Sequence, residues 1–217
     1  MIWNVPNQLT VGRILLAAVF FILLGIYDSA SPHGPAILNA AFVLYIIAGI
    51  TDVLDGWIAR KYNLTSAFGR ITDPFVDKVL VVGAFAMLAG QNYALPAFWT
   101  GGPTYDTRLP GWLTGHMASA VQAWMVVAIM AREFIVSAIR GYSESRGIKF
   151  PATPAGKIKM FIQSVAICMV LFQLANLSQA RWAVILKVAA VWTATMATVL
   201  SGLAYVGKAR RLLMGNE

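Results

Sequence analysis

Asp52, Asp55, Asp73 and Asp77 are four of only nine acidic residues and fall within 26 consecutive positions of a 217-residue chain. Carboxylates this close repel one another. In an apolar setting each also costs several kcal/mol if left ionised and alone, so the group requires a cation unless it is largely protonated. Placed on helices, Asp52 and Asp55 lie about 60° apart on one face, and Asp73 and Asp77 about 40° apart on the next. A short connection allows the two faces to oppose each other as an antiparallel hairpin. The oxygens then converge on a hard site suited to Mg²⁺ or Mn²⁺, and four negative charges balance two divalent ions.

Small residues lie where a ligand would need room. Gly56 is four positions after Asp52, Ala59 is three further on, and Gly69 precedes the second acidic pair. Tight helix packing is the other use of such residues. Capping and salt bridges to Arg60, Lys61, Arg70 and Lys78 would account for Asp73, which precedes Pro74, but not for all four acids.

The elements that position these residues are apolar. Hydrophobic residues make up 59% of the chain and charged residues 12%, about half the charge of an ordinary soluble domain. That balance excludes a soluble enzyme, a disordered regulator or a disulfide-stapled secreted domain. Six apolar stretches, near 9–27, 35–60, 71–90, 118–144, 157–176 and 181–206, are each long enough to cross a hydrocarbon core of about 30 Å. The expected fold is all-α, a polytopic integral membrane protein of six transmembrane helices forming a single domain over 1–217. No small-residue cleavage site follows the first stretch cleanly, so it is read as a retained helix rather than a signal peptide. The prolines fall between or before the spans except Pro74, which fits the first turn of the third helix. Residues 91–117, rich in Pro, Gly, Trp and Tyr, read as an interfacial loop.

Net charge is +8, from 17 Lys and Arg against nine acids. In a bilayer protein this excess points to lipid headgroups and topology rather than nucleic acid. Fourteen of the seventeen fall on one side of the six-span layout, and only Arg108, Arg181 and Lys187 on the other. Both termini and the 2–3 and 4–5 connections are therefore expected in the cytoplasm. The lone Cys168 sits in an apolar run and reads as packing. His33 and His116 fall in outward loops, away from the acids. The Trp and Tyr residues near span ends read as interface anchors.

The stretch Asp52-Val53-Leu54-Asp55-Gly56-Trp57-Ile58-Ala59-Arg60, then Gly69, Asp73 and Asp77 at their spacings, resembles the signature of the CDP-alcohol phosphotransferases. The resemblance implies a six-helix membrane enzyme, usually a homodimer, that moves a phosphatidyl group with two divalent metals, Mg²⁺ or Mn²⁺. It implies metal ligation by Asp52, Asp55, Asp73 and Asp77, with Asp77 as general base. The nucleotide would lie along Gly56, Ala59 and Gly69, with Arg60 on its phosphates and Asn7 and Thr10 near the cytidine.

Further segments are similar to the bacterial members of that family that use glycerol 3-phosphate. These are Asn4–Thr10 with Arg13, Asp73–Lys78, Ala131–Ser137 with Arg140, and Gly156–Lys159. The resemblance implies CDP-diacylglycerol and glycerol 3-phosphate as substrates, and the inner (cytoplasmic) membrane of a bacterium, with the active site facing the cytoplasm. An acceptor phosphate needs cations. Arg132, Arg140, Lys157 and Lys159 flank the 4–5 connection on the side of the aspartates; positive-inside topology is their other explanation. Arg132 lies deeper in its helix and needs a partner, for which adjacent Glu133 is the candidate. Two other readings stand beside this one. The same chemistry could serve another acceptor (inositol phosphate, serine, or phosphatidylglycerol as in cardiolipin synthesis), though paired cations weaken serine. A divalent-cation transporter would use the acids as a binding ring, but no acids continue the path at the opposite face.

Overall fold

The computed structural model describes residues 5–29, 31–62, 67–94, 109–146 and 154–214. At the helix ends nearest the aspartates, the backbone alone is described for 5–7, 9, 55, 59–60 and 67–74. Among the described residues the fold is helical, with one isolated antiparallel bridge between Ala94 and Met117. Six long helices follow one another: α1 (Val5–Ile26), α2 (Gly34–Lys61), α3 (Ala67–Leu88), α5 (Ala123–Ser145), α6 (Pro154–Asn176) and α7 (Arg181–Met214). A single-turn α4 (Gly111–Thr114) precedes α5. Each long helix coincides with one of the six apolar stretches. Gly34–Ile58, Gly156–Asn176 and Arg181–Gly207 are long and apolar enough to cross a membrane, and Thr10–Ile26 is a shorter apolar helix.

The middle of the bundle is apolar and interlocked. Phe20 and Leu24 of α1, Leu38 and Ala41 of α2, Phe85 and Leu88 of α3, Ile129 of α5, Ile167 and Leu171 of α6 and Val191 of α7 are all essentially buried in one core. Large apolar residues also cover the outside: Val53, Phe134, Phe161 and Leu200 are each more than half exposed. An apolar exterior around an apolar core is the arrangement a lipid solvent favours. α1 packs along both α2 and α3, α6 along α2 and α7, and α5 along α7. The α1–α3 approach is close enough that a Cβ on Gly83 would meet Phe21 Cζ at 2.6 Å. Helix α1 is thus seated against both α2 and α3.

Polar contacts gather at the two ends of the bundle. At one end Asn39 and Asn176 exchange hydrogen bonds, Asn92 caps the Gly25 carbonyl at 2.9 Å, and Tyr27 stacks on Tyr93. Lys187, counted from sequence on the outward side, is buried there inside α7; it donates to the Ala118 carbonyl at 2.5 Å and to Gln173 Oε1 at 2.8 Å. The fourth helix starts at Ala123 rather than 118 because the preceding residues are tied elsewhere. Ala118 N–H bonds the Tyr93 carbonyl, Ser119 Oγ bonds the Leu88 carbonyl, and Ala120 adopts φ 61°. The third helix begins earlier than expected, at Ala67, which carries Pro74 past the first turn. A proline there has no N–H to give the carbonyl four residues back. The other end of the bundle holds the starts of α1, α3 and α6 and the ends of α2, α5 and α7, and its contacts build the site.

Candidate active site

Arg13, one turn after the buried Thr10 on α1, has a fully buried side chain and is the one charged residue of that helix. Such a charge needs partners. Its Nη1 donates to Asp52 Oδ1 of α2 and, at 2.9 Å, to Asp77 Oδ1 of α3. One nitrogen thus holds two carboxylates from two helices within a pair of hydrogen bonds of each other. Both acids keep part of their surface open, with side-chain exposures of 38% for Asp52 and 23% for Asp77. Gly56, partly buried, follows Asp52 by one turn of α2. The helix periodicity puts Asp55 beside Asp52 and Asp73 beside Asp77 along the chain. The side chains of Asp55, Asp73, Arg60, Ala59 and Asn7, and the surroundings of Gly69, lie outside the described residues, so no cluster of three or more metal-ligating side chains is seen among those described. The donor set fits a divalent ion in kind: two hard carboxylates are held together where an adjacent positive charge is already required.

Asp77 also forms part of the wall of a cavity of about 290 Å³. Five cations share that wall, Lys78, Arg132, Arg140, Lys157 and Lys159, against two acids, Asp77 and Glu133. Glu133 anchors the group: its Oε1 accepts from Arg132 Nη1 at 3.0 Å and from Lys159 Nζ. The expected Arg132–Glu133 pair is therefore present, and Lys159 joins it from α6. Arg132 also lies over the Tyr205 ring at 5.4 Å. Gly202, one turn earlier on α7, leaves space for it, since a Cβ there would come within 2.9 Å of Arg132 Cγ. Lys78 Nζ donates to Ser137 Oγ at 2.5 Å, and Ser137 Oγ donates in turn to the Glu133 carbonyl at 2.6 Å. The excess of positive charge on this wall favours a small anion.

The four cations singled out from sequence thus line one cavity, joined by Lys78, Ser137, Gln163 and Tyr205. In the sequence Arg13 enters through charge topology and the resemblance of its segment, Lys78 as a salt-bridge candidate and the end of the Asp73–Lys78 segment, Ser137 as the end of the Ala131–Ser137 segment and Tyr205 as an interface anchor; none of these is assigned to the site, and Gln163 is not singled out. Arg13 carried a usable signal, a charge followed by an uninterrupted apolar run. Gln163 carried another, as an amide inside an apolar helix.

The model of the CDP-alcohol phosphatidyltransferase family matches residues 3–200. The chain belongs to that family and is an enzyme of this class. It is 32% identical over 212 residues, 95% of each chain, to the CDP-diacylglycerol–glycerol-3-phosphate 3-phosphatidyltransferase of Bacillus subtilis strain 168. It is 28% identical to the protein of the same name from Haemophilus influenzae, over 100% of this chain and 98% of that one. The protein of that name from Rickettsia typhi is also 28% identical, over 93% and 94% of the two chains.

Proposed function

We propose that this enzyme transfers the phosphatidyl group of CDP-diacylglycerol to glycerol 3-phosphate, giving phosphatidylglycerophosphate and CMP. The observation that carries the reading is the double position of Asp77. It meets Asp52 across Arg13 and at the same time lines a cavity with five cations. A carboxylate base beside an anion receptor is what attack by a phosphorylated alcohol requires. Relatives of nearly equal length that carry this activity in their names support the acceptor.

In this mechanism Asp52, Asp55, Asp73 and Asp77 would hold two divalent ions, Mg²⁺ or Mn²⁺, which when bound would supply charge neutralisation to the pyrophosphate and to departing CMP. Gly56, Ala59 and Gly69 leave room for the nucleotide, Arg60 meets its phosphates, and Asn7 and Thr10 flank the cytidine. Arg132, Arg140, Lys157 and Lys159, with Lys78, take the acceptor phosphate. Asp77 accepts the proton of the acceptor hydroxyl, whose oxygen attacks the phosphorus carrying the diacylglycerol as the bond to the CMP phosphate breaks. A carboxylate is a weak base for an alcohol, so alignment by the cation pocket contributes much of the rate. Arg13 holds Asp77 and Asp52 in register.

The six long helices act as six membrane spans with both termini in the cytoplasm, in the inner membrane, and the enzyme works as a homodimer. The Lys and Arg bias and the convergence of the charged helix ends support that orientation. Five cations on the cavity wall oppose a cation-transport reading. Purified protein given radiolabelled CDP-diacylglycerol, Mg²⁺ and a panel of acceptors tests the proposal. CMP release is expected with glycerol 3-phosphate, and release that requires inositol phosphate, serine or phosphatidylglycerol instead would refute it.

A further inference from the structure

The cavity wall contains a polar residue for which phosphate binding has no use. Gln163 of α6 is fully buried and lies in that wall. A short relay fixes its amide: Gln163 Nε2 donates to Thr198 Oγ1 at 2.9 Å, and Thr198 Oγ1 donates to the Ala194 carbonyl at 2.6 Å. The threonine hydroxyl has one proton, already committed to Ala194, so it can only accept from Gln163. The amide must therefore turn its nitrogen to α7. Its oxygen, Oε1, is left buried with no hydrogen-bond partner among the described residues.

Buried acceptors are nearly always paired, and an unpaired one destabilises the fold. A fully ionised phosphate has no proton to give, so the anion drawn in by the cations leaves Gln163 unsatisfied. A hydroxyl does have one. Arg132 presents the complementary case on the same wall, a buried Nε–H that also lacks a hydrogen-bond partner among the described residues. A hydroxyl accepts as well as donates, which matches one orphaned donor and one orphaned acceptor.

We propose that Gln163 is a specificity-determining residue whose Oε1 accepts a hydrogen bond from the non-reacting hydroxyl of the acceptor. The inference rests on the acceptor proposed above, a hydroxylated alkyl phosphate. One hydroxyl of glycerol 3-phosphate attacks phosphorus, the phosphate meets the cations, and the C2 hydroxyl is the group left for Gln163. Thr198 is a positioning residue that acts through the amide.

The experiment compares kcat/KM, by CMP release, for glycerol 3-phosphate and for 3-hydroxypropyl phosphate, which keeps the phosphate and a primary hydroxyl but lacks the C2 hydroxyl. The wild-type enzyme is expected to favour glycerol 3-phosphate by about tenfold or more, as sites built to pair a hydroxyl do. Gln163→Met should bring the two acceptors within about threefold of each other by losing rate on glycerol 3-phosphate alone. Thr198→Val, which frees the amide to turn, should give an intermediate ratio. Each ratio is taken within one preparation, so a loss of folded protein cancels. A wild-type enzyme equally efficient on both acceptors overturns the role of Gln163 alone, as does a Gln163→Met enzyme with the wild-type ratio. No release from either acceptor overturns this role and the proposed acceptor together.

Discussion

Arg13 and Asp77, 64 positions apart in sequence, meet at 2.9 Å, and the same guanidinium nitrogen also holds Asp52. The first helix thus supplies the cation that keeps the acids of the second and third helices assembled. A group of like charges near the end of a bundle would otherwise push its helices apart.

Removing that cation leaves two neighbouring carboxylates without their shared partner. Arg13→Met is expected to destabilise the protein by about 3 kcal/mol, read as a lower midpoint of denaturant unfolding in detergent micelles, with Arg13→Lys keeping part of the loss at bay. Adding Asp52→Asn to Arg13→Met should recover some stability because one unpaired charge is gone. An unchanged midpoint in Arg13→Met contradicts the bridging role.

Lys157 lines the cavity with an exposed side chain and enters none of the ion pairs seen among the described residues, so its truncation costs the fold little. Lys157→Ala should raise the KM for glycerol 3-phosphate by about tenfold, the value of one charge-assisted contact, and leave the KM for CDP-diacylglycerol near its wild-type value. The reverse pattern moves Lys157 out of the acceptor pocket.

Gly202→Ala tests the packing behind Arg132. The added methyl would fall 2.9 Å from Arg132 Cγ, and overpacking of this kind costs about 1–3 kcal/mol. The expected result is a weaker acceptor KM with a modest fall in stability. A variant indistinguishable from wild type would mean that Arg132 has room to move.

That Asp52 and Asp77 meet was legible in the sequence because each belongs to a local pair of acids at helical spacing at facing ends of neighbouring helices. The six helices were legible for the same reason, as apolar length. The position of Arg13 was not, because its partners depend on α1 packing against both α2 and α3, a long-range relationship that no window along the chain contains. The burial of Lys187 was hidden for a related reason: the sequence gives only its side of the layout, and two acceptors from distant segments, Ala118 and Gln173, hold it inside the bundle. The start of α5 was displaced by hydrogen bonds to Leu88 and Tyr93, again from outside the local sequence.

Chelation tests the metal. Treatment with EDTA should abolish CMP release, and added Mg²⁺ or Mn²⁺ should restore it, since the carboxylates alone cannot neutralise a pyrophosphate. Full activity in the chelated enzyme contradicts a metal-dependent mechanism.

The most direct measurement is the rate of CMP release by Asp77→Asn, an isosteric change whose amide oxygen can still accept from Arg13. With unfolding behaviour close to wild type, the variant should lose at least about 10³-fold in kcat, within the range for a general base. A folded Asp77→Asn enzyme that releases CMP at the wild-type rate would contradict the placement of the reaction at the junction of the aspartates and the cationic cavity.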